Sequence, residues 1–239
     1  MITCLDTGRT FGETAAEATV RCYGSTGAAA KEVLSRDAGF EWVPSLTFLH
    51  ERHLRDRELL VYPPAPTSAE RGVAEALDAN GPPVSRAEAI EIVDLESAGG
   101  YGVFAVEPIS IGALIVEYAG LVAPATDEGF DPYGLSYAET LAGEQLRLSA
   151  RRFGNAARFV NHASVKPNAE IVRVVHRGLL RVVIVAREGI APGGQVLVDY
   201  GDAYWRASGV APRPLPRILA DVVPIDIASS VLQAARTKS

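Results

Sequence analysis

The spacing of apolar positions changes near residue 89. Beyond that point, short β-branched runs are bounded by turn residues, a pattern that predicts strands. A helix is predicted only within the more mixed segment 124–148, at Ser136–Leu146. This part of the chain therefore reads as a mostly β domain with some α structure, an α+β fold class. The predicted strands are 90–93, 103–106, 114–118, 120–122, 170–175, 179–186 and 195–200.

Before residue 89 the pattern favours helices. Ala28–Ser35 predicts a short one, and Leu46–Leu60 reads as an amphipathic helix with Leu49 and Leu54 among its buried positions. Ala69–Ala79 predicts another, which ends at an Asn-Gly-Pro-Pro turn. We expect a partly helical N-terminal region without readable chemistry, which would serve docking or homo-oligomerisation.

These patterns divide the chain into three parts. Residues 1–85 form the N-terminal region, 86–205 the β domain, and 206–239 a Pro-rich tail with a last short helix at Ile227–Ala235. The tail ends Ala-Arg-Thr-Lys-Ser, which is similar to the start of a core histone tail. We favour a frayed polar terminus there.

Composition narrows the class of partner. The chain is 48% hydrophobic and carries a net charge of -6, which suits a basic protein or peptide better than nucleic acid. No run approaches the roughly 18 apolar residues of a membrane helix. The N-terminus lacks the basic and apolar regions of a secretory signal. The expectation is a soluble intracellular protein, cytoplasmic or, in a eukaryotic cell, nuclear.

Cysteine and histidine usage argues against a metal centre. Cys4 and Cys22 are too few for a zinc cluster or a disulfide framework. His50 and His53 are spaced i, i+3 in a charged segment, and no third ligand is evident. A surface helix explains them better than a metal site does, so we expect no zinc.

Candidate chemistry concentrates at 154–168, which reads GNAARFVNHASVKPN. Its amides, its histidine and its arginine each need a hydrogen-bond partner inside a fold. A polar loop after a helix end would explain the composition, but not the order of residues. That order resembles the signature of SET-domain protein lysine methyltransferases, Gly-Asn followed by Arg-Phe-x-Asn-His-Ser-x-x-Pro-Asn. The matching residues are Gly154, Asn155, Arg158, Phe159, Asn161, His162, Pro167 and Asn168.

The segment departs from the family pattern in two places. Ala163 stands where Ser is usual, and the gap before Pro167 is one residue longer than the commonest spacing. Neither change removes a side chain expected to do chemistry.

Three further stretches resemble family motifs and occur in the family's order. Gly99–Ala105 is similar to the first motif and Glu117–Gly120 to the second. Gln195–Gly201 is similar to the last motif, with Gln195 and Val196 replacing the usual Glu-Leu and Asp199-Tyr200-Gly201 intact. The resemblance implies several small β-sheets and a knot-like C-terminal segment that passes beside the Asn-His motif.

The resemblance implies transfer of a methyl group from S-adenosylmethionine to a lysine amine. It also gives the alternative to a frayed terminus, in which Lys238 is a pseudosubstrate or an automethylated residue. Tyr200 and Tyr118 would be the catalytic residues. Arg158 would be a buried structural anchor. The implied cofactor-binding residues are Gly100, Tyr101, Gly102, Asn161, His162, Tyr200 and Trp205, with Tyr204 beside Trp205 over the adenine. The implied substrate channel is lined by Tyr118, Tyr137, Val198 and Tyr204.

The sequence leaves open how many methyl groups would be added and whether the domain is an active enzyme. Val198 stands where the family often has Phe or Tyr, which favours di- or trimethylation unless Tyr133 or Tyr137 fills the space. The alternative to an enzyme is a catalytically silent SET-fold module that binds a peptide or assembles a complex. The intact Asp199-Tyr200 and Asn161-His162 pairs favour turnover.

Overall fold

Backbone pairing in the computed structural model follows the strand pattern predicted beyond residue 89. The structure describes residues 2–11, 21–22, 25–55, 60–61, 71–75, 77, 90–95, 100–126, 129–176 and 178–211. The strands are β1 Ile2–Cys4, β2 Thr10–Phe11, β3 Arg21–Cys22, β4 Ser25–Thr26, β5 Glu41–Trp42, β6 Thr47–Phe48, β7 Leu60–Val61, β8 Ile90–Asp94, β9 Tyr101–Ala105, β10 Leu114–Glu117, β11 Gly120–Pro124, β12 Gly134–Thr140, β13 Gln145–Gly154, β14 Asn161–His162, β15 Ala169–His176, β16 Leu179–Ala186 and β17 Leu197–Val198. The helices are α1 Gly27–Ala38, α2 Glu51–Arg55, α3 at 71–75, α4 Asp202–Ser208 and a 3-10 helix at Ala156–Phe159.

The strands form several sheets, which confirms the predicted α+β, mostly β class. The largest has the order β2-β1-β6-β11-β13-β12-β7, with β5 also pairing β13. A second sheet has the order β10-β16-β15, a third β4-β3-β8-β9, and β14 pairs β17.

The N-terminal region supplies strands to this architecture as well as helices. β6 runs parallel to both β1 and β11, with Phe48 opposite Cys4 and Val122. Leu34, Leu46 and Phe48 are fully buried and belong to one core cluster with residues of the later strands. Strands from both sides of residue 85 therefore share a sheet and a core, and the N-terminal region combines these strands with helices.

The predicted helix Leu46–Leu60 is wrong over most of its described length. Thr47–Phe48 is a strand, only Glu51–Arg55 is helical, and Leu60 opens β7. Leu49 and Leu54 are half-buried, whereas His53 is buried. Apolar spacing alone could not separate a helix from a short strand flanked by pairing partners that are distant in sequence.

The predicted helix Ser136–Leu146 is also wrong, because β12 and β13 form an antiparallel hairpin there. Its turn is closed by hydrogen bonds between Thr140 and Glu144, and Gly143 takes the left-handed conformation at φ 83°. That conformation favours glycine and ends the strand.

The predictions near the termini have mixed outcomes. α1 confirms the helix at Ala28–Ser35 and extends it, and α3 lies within the predicted Ala69–Ala79. α4, which carries Trp205, was not predicted. The predicted helix Ile227–Ala235, Lys238 and Gly99 lie outside the described residues. None of the helices in the described part of the chain is long and apolar enough to span a membrane.

Candidate active site

The parallel pair β14–β17 brings the two polar motifs together. Asn161 lies opposite Leu197 and His162 opposite Val198, and the Ala163 N–H donates to the Val198 carbonyl at 2.9 Å. The Tyr200 N–H then donates to Nδ1 of His162 at 3.0 Å. The last motif therefore runs beside the Asn-His motif, although its passage through a loop stays a prediction.

Asn168 holds this pairing from one side. Its Nδ2 donates to the Gln195 carbonyl at 2.8 Å, and its Oδ1 accepts from the Leu197 N–H at 2.9 Å. One side chain thus satisfies a backbone acceptor and a backbone donor of the approaching segment, which sets the register of β17.

The Tyr200 side chain lies at the end of β17. Its hydroxyl donates to the Val160 carbonyl at 2.7 Å. Burial raises the pKa of the phenol well above its ordinary value, and the neighbouring Tyr204 and Tyr133 add to the rise. Tyr200 is therefore a neutral phenol at physiological pH.

Tyr118 follows β10, and its hydroxyl, like that of Tyr200, donates to a backbone carbonyl. Its N–H donates to the Val182 carbonyl at 2.7 Å and its hydroxyl to the Tyr133 carbonyl at 3.0 Å. Burial raises its pKa, and the nearby Tyr200 and Asp131 add to the rise. Because each phenol donates its O–H to a backbone carbonyl, the lone pairs of its oxygen remain available to accept a hydrogen bond.

Tyr118 and Tyr200 line one cavity of about 1030 Å³. That volume is at the upper end of the roughly 300–1,000 Å³ of small-molecule sites. Of the sequence-predicted site residues, Gly100, Tyr101, Tyr118, Asn161, Val198, Tyr200 and Tyr204 line it. Gly102, Tyr137, His162 and Trp205 do not, so the cavity unites most but not all of the predicted set.

One end of the cavity is formed by Gly100, Tyr101 and Asn161. The Asn161 Nδ2 donates to the Tyr101 carbonyl at 2.9 Å, which ties β14 to β9. Gly100 has φ 97°, and a Cβ added there would meet nothing within 4 Å. This end thus combines an open glycine backbone with polar amide groups.

Gly102 is needed for packing. A Cβ there would lie 2.7 Å from Nε2 of Gln195 and 3.0 Å from the Phe104 ring. The glycine lets β9 approach Gln195, whose backbone forms a bridge with Phe104.

His162 and Trp205 lie behind Tyr200. The Trp205 ring is 4.8 Å from the His162 ring and stacks on Tyr200 at 6.2 Å with an interplanar angle of 19°. Nδ1 of His162 accepts the Tyr200 N–H, so its proton resides on Nε2, 2.8 Å from the Ser164 hydroxyl. Burial lowers the His162 pKa, against the opposing effect of Asp199, which agrees with a neutral ring.

Tyr137 occupies a core position. It is 3% exposed, its hydroxyl donates to the Leu180 carbonyl at 2.6 Å, and its ring packs on Phe48. Tyr133, the alternative residue for the space near Val198, lines the cavity instead. No sequence motif indicated that Tyr133 would line this cavity.

Arg158 is buried and held by backbone and aromatic groups. Its Nη1 donates to the Ala150 carbonyl at 3.1 Å, and its guanidinium lies 4.2 Å from the ring centroids of both Phe40 and Tyr133. Cation–π contacts of this kind stabilise a buried charge. Phe40 comes from the N-terminal region, a contact that sequence reasoning missed.

A buried ion cluster, defined here as Ser45, Glu117 and Arg181, lies next to Tyr118 in the chain. Nη1 of Arg181 is 2.7 Å from Oε1 of Glu117, and the Ser45 hydroxyl donates to Oε2 at 2.9 Å. Burial raises the Glu117 pKa, and Arg181 opposes that rise. In the sequence, the cluster is indicated by one acidic residue, Glu117, within the apolar run LIVEY.

The two histidines weighed as metal ligands have other partners. Nε2 of His53 is 2.8 Å from Oε2 of Glu144, and Nδ1 of His50 is 3.6 Å from Oδ2 of Asp6. Among the residues described, no group of three or more histidine, cysteine or acidic side chains could hold a metal ion.

Comparison with known proteins matches residues 100–201 to the SET domain family. Histone-lysine N-methyltransferase ASHH1 of Arabidopsis thaliana is 31% identical over 117 residues, covering 46% of this chain and 24% of the relative. Probable histone-lysine N-methyltransferase set-23 of Caenorhabditis elegans is 33% identical over 117 residues, covering 44% of this chain and 48% of the relative. The chain thus spans less than half the length of these two curated relatives.

Among solved structures, a crystal structure of ATXR5 in complex with histone H3.1 aligns with a TM-score of 0.52 at 22% identity. The alignment covers 73% of this chain and 86% of that one. At this identity the likeness establishes a shared fold.

Proposed function

Because residues 100–201 form a SET domain, we propose that this protein is an S-adenosylmethionine-dependent protein-lysine N-methyltransferase. The observation that carries the proposal is the pair of neutral phenols, Tyr118 and Tyr200, in one cavity with Gly100, Tyr101 and Asn161. The separate sequence motifs that predicted this chemistry are thus brought to one place.

The residues present fit the cofactor. Gly100 leaves open space at its backbone for the methionine end, and Tyr101 and Asn161 line the same cavity. Trp205 stacks on Tyr200 outside this cavity, and its buried Nε1 has no hydrogen-bond partner among the described residues. Aromatic faces also stabilise cations such as a sulfonium. When bound, the cofactor would supply a methyl group that is already activated for transfer.

The role of the tyrosines follows from their hydrogen bonds. Only the neutral amine of lysine has a lone pair, and the ordinary lysine pKa is near 10.4, so the amine must lose a proton to solvent before it reacts. A poorly hydrated cavity disfavours the charged form. The oxygens of Tyr118 and Tyr200 can then accept the remaining N–H groups and aim the lone pair, since their own protons are committed to carbonyls.

Orientation is the main catalytic contribution in this proposal. Alignment of a bound nucleophile with its target can lower a barrier by about 7 kcal/mol or more. Among the described lining residues, the carboxylate is that of Asp131, which already accepts from the Tyr133 N–H and the Ser149 hydroxyl. A dedicated general base is therefore not part of the proposal.

The product is proposed to be di- or trimethyllysine. Val198 is small and lines the cavity, while Tyr137 is held in the core by Leu180. Tyr133 lines the cavity but its ring packs on the guanidinium of Arg158. Space beside Val198 would accommodate added methyl groups, and intact-mass analysis of a methylated peptide would count them.

The substrate is proposed to be a basic, histone-like protein. Support comes from the net charge of -6 and from relatives that are named histone-lysine methyltransferases.

The decisive test is transfer of a labelled methyl group to histones and to a whole-cell lysate. We expect labelled lysine with the wild type and a loss on the order of 100-fold with Tyr200→Phe. Peptide binding without any transfer would instead identify a silent binding module. Equal labelling by both proteins would rule out the role given to Tyr200.

A further inference from the structure

The backbone carbonyl that accepts the Tyr118 hydroxyl serves two donors. It belongs to Tyr133, and it accepts the Ala150 N–H at 3.1 Å as well as the Tyr118 hydroxyl at 3.0 Å. Because the two donors share one acceptor, a small movement of this carbonyl relative to Ala150 would change the hydrogen bond to Tyr118. The placement of the Tyr118 phenol therefore depends on what fixes Tyr133 and Ala150 relative to each other.

Arg158 contacts both partners of this shared hydrogen bond. Its Nη1 donates to the Ala150 carbonyl at 3.1 Å, and its guanidinium carbon lies 4.2 Å from the centroid of the Tyr133 ring. The side chain is buried, and a buried cation needs partners of this kind. A shift of the guanidinium should therefore disturb both Ala150 and Tyr133.

A second ring at the same distance from the guanidinium is that of Phe40, in the N-terminal region. Helix α1 ends at Ala38, and Gly39 takes the left-handed conformation at φ 65°. The Phe40 N–H then donates to the Ser35 carbonyl at 3.0 Å, the bond that closes a Schellman C-cap. β5 begins at the next residue and pairs in parallel with β13, so the Phe40 backbone is held between a helix end and a sheet.

These contacts link the N-terminal region to the candidate active site. We infer that Phe40 is a positioning residue, which acts through Arg158 on the hydroxyl of Tyr118. Its ring holds the guanidinium, and the guanidinium holds the Tyr133 carbonyl that accepts this hydroxyl. The inference rests on the proposed function, in which Tyr118 orients the lysine amine. Phe40 itself does not line the cavity, so its effect on catalysis is indirect.

The first test compares Phe40→Leu with the wild type, on the full chain with cofactor and core histones as substrate. Loss of one aromatic contact on Arg158 should misplace the Tyr118 hydroxyl and lower kcat by about fivefold to tenfold. KM and the cofactor dissociation constant should stay within about twofold, because Phe40 contacts neither ligand.

Phe48→Leu is the matched control. Phe48 belongs to the same core cluster as Phe40, but its ring packs on Tyr137. The same truncation there should destabilise the fold and leave kcat within about twofold of the wild type. Equal losses of kcat in the two variants would overturn the inference, since they would reflect general destabilisation.

Replacement of Phe40 by ring-fluorinated phenylalanines keeps the shape of the side chain and avoids a folding defect. Fluorine withdraws electron density from the ring face, which weakens its attraction for a cation. We expect kcat to fall stepwise as fluorines are added. A kcat that does not respond to fluorination would overturn the inference.

A double-mutant cycle with Tyr118→Phe separates positioning from a general structural role. If Phe40 acts through the Tyr118 hydroxyl, Phe40→Leu should change kcat by less than about twofold once that hydroxyl is absent. A fivefold to tenfold loss that persists in the Tyr118→Phe background would overturn the inference, because the ring would then act by another route.

Amide hydrogen exchange supplies a readout that does not require methyl transfer. The Ala150 N–H donates to the shared carbonyl, so its protection reports on that bond. Phe40→Leu should speed exchange at Ala150 by about fivefold and leave the Thr140 N–H, which donates to Glu144 at the turn of the same hairpin, unchanged.

The exchange result separates the two proposals. Unchanged exchange at Ala150 would overturn the inference and leave the methyltransferase proposal standing. Faster exchange at Ala150 in a protein whose wild type transfers no methyl group would support the chain of contacts from Phe40 and overturn the proposed activity.

Discussion

Glu117 and Tyr118 are neighbours in the chain but belong to two polar centres with different designs. In the buried ion cluster, Glu117 is surrounded by Arg181 and Ser45, and both carboxylate oxygens have partners. In the cavity, Tyr118 and Tyr200 each donate one hydrogen bond to a carbonyl, which leaves their oxygens able to accept another. In the first centre, which we call closed, the carboxylate has its hydrogen-bond partners and three segments of the fold are joined. In the second, which we call open, the phenol oxygens can still accept hydrogen bonds from a group in the cavity.

This difference separates stability from activity. Removing a member of the closed centre should leave a buried charge without its partner, with a large cost in folding free energy. Removing a hydroxyl from the open centre should mainly affect the bound substrate. Mutations in the two centres should therefore give opposite patterns of stability and turnover.

Arg181→Ala is expected to have the largest effect. It removes the partner of a carboxylate that is 3% exposed, which should lower the free energy of unfolding by about 3–5 kcal/mol. Thermal denaturation or urea denaturation monitored by circular dichroism would measure it. Arg151→Ala, at an exposed position, should cost less than about 0.5 kcal/mol.

The same variant should have a characteristic pH dependence. Burial raises the folded-state pKa of Glu117, so its protonation favours the folded state at acidic pH and that contribution is lost as pH rises through the folded-state pKa. Arg181 opposes the rise, so its removal should raise the Glu117 pKa further. The stability deficit of Arg181→Ala should consequently be smaller at acidic pH than at neutral pH, and a constant deficit would contradict this account.

Tyr200→Phe should lower kcat by about 100-fold, equivalent to about 2.7 kcal/mol of barrier. The cofactor dissociation constant should change by less than about threefold, because the ring and its stacking on Trp205 are kept. Isothermal titration of cofactor alongside single-turnover transfer would separate these quantities. Loss of cofactor binding with normal residual turnover would assign the hydroxyl a different role.

Trp205→Leu should weaken cofactor binding by about fivefold to tenfold. The indole packs on His162 and Tyr200, and aromatic contacts of this kind contribute about 0.5–1.5 kcal/mol. Trp205→Phe should have an intermediate effect, since it keeps a ring but loses the N–H. Trp42→Leu is the control, because Trp42 packs on Phe40 and not on His162 or Tyr200, and should leave cofactor affinity unchanged.

Tyr137→Phe should have the smallest effect and only on stability. It removes the hydrogen bond to the Leu180 carbonyl, with an expected loss of about 1 kcal/mol in unfolding free energy. The value of kcat should remain within about twofold of the wild type. A drop comparable with that of Tyr200→Phe would support the predicted role of Tyr137 in the substrate channel.

Local patterns predicted much of the strand framework and the polar motifs. β8, β9, β15 and β16 lie at or within two residues of the predicted strands, because β-branched runs with flanking turns are strong signals. Most of the predicted site residues also line the cavity, since each belongs to a motif of its own.

Pairing with strands distant in sequence determined the elements that local patterns could not predict. Thr47–Phe48 becomes a strand because β1 and β11 lie on either side of it, and no local signal shows those partners. The same limit applies to Arg158, whose guanidinium packs on Phe40 from the N-terminal region. Tyr133 was named only as an alternative, because its position depends on the β12–β13 hairpin.

The two hydrogen bonds by which Asn168 holds residues 195–197 bear on the order of folding. The pairing of β14 with β17 spans the whole β15–β16 hairpin, so its two strands are distant in sequence. Contacts between segments so distant in sequence form slowly, because a long loop must close first. The β14–β17 pair, which holds Tyr200 beside His162, should therefore form after the more local hairpins, and the proposed methyl transfer would depend on this late step.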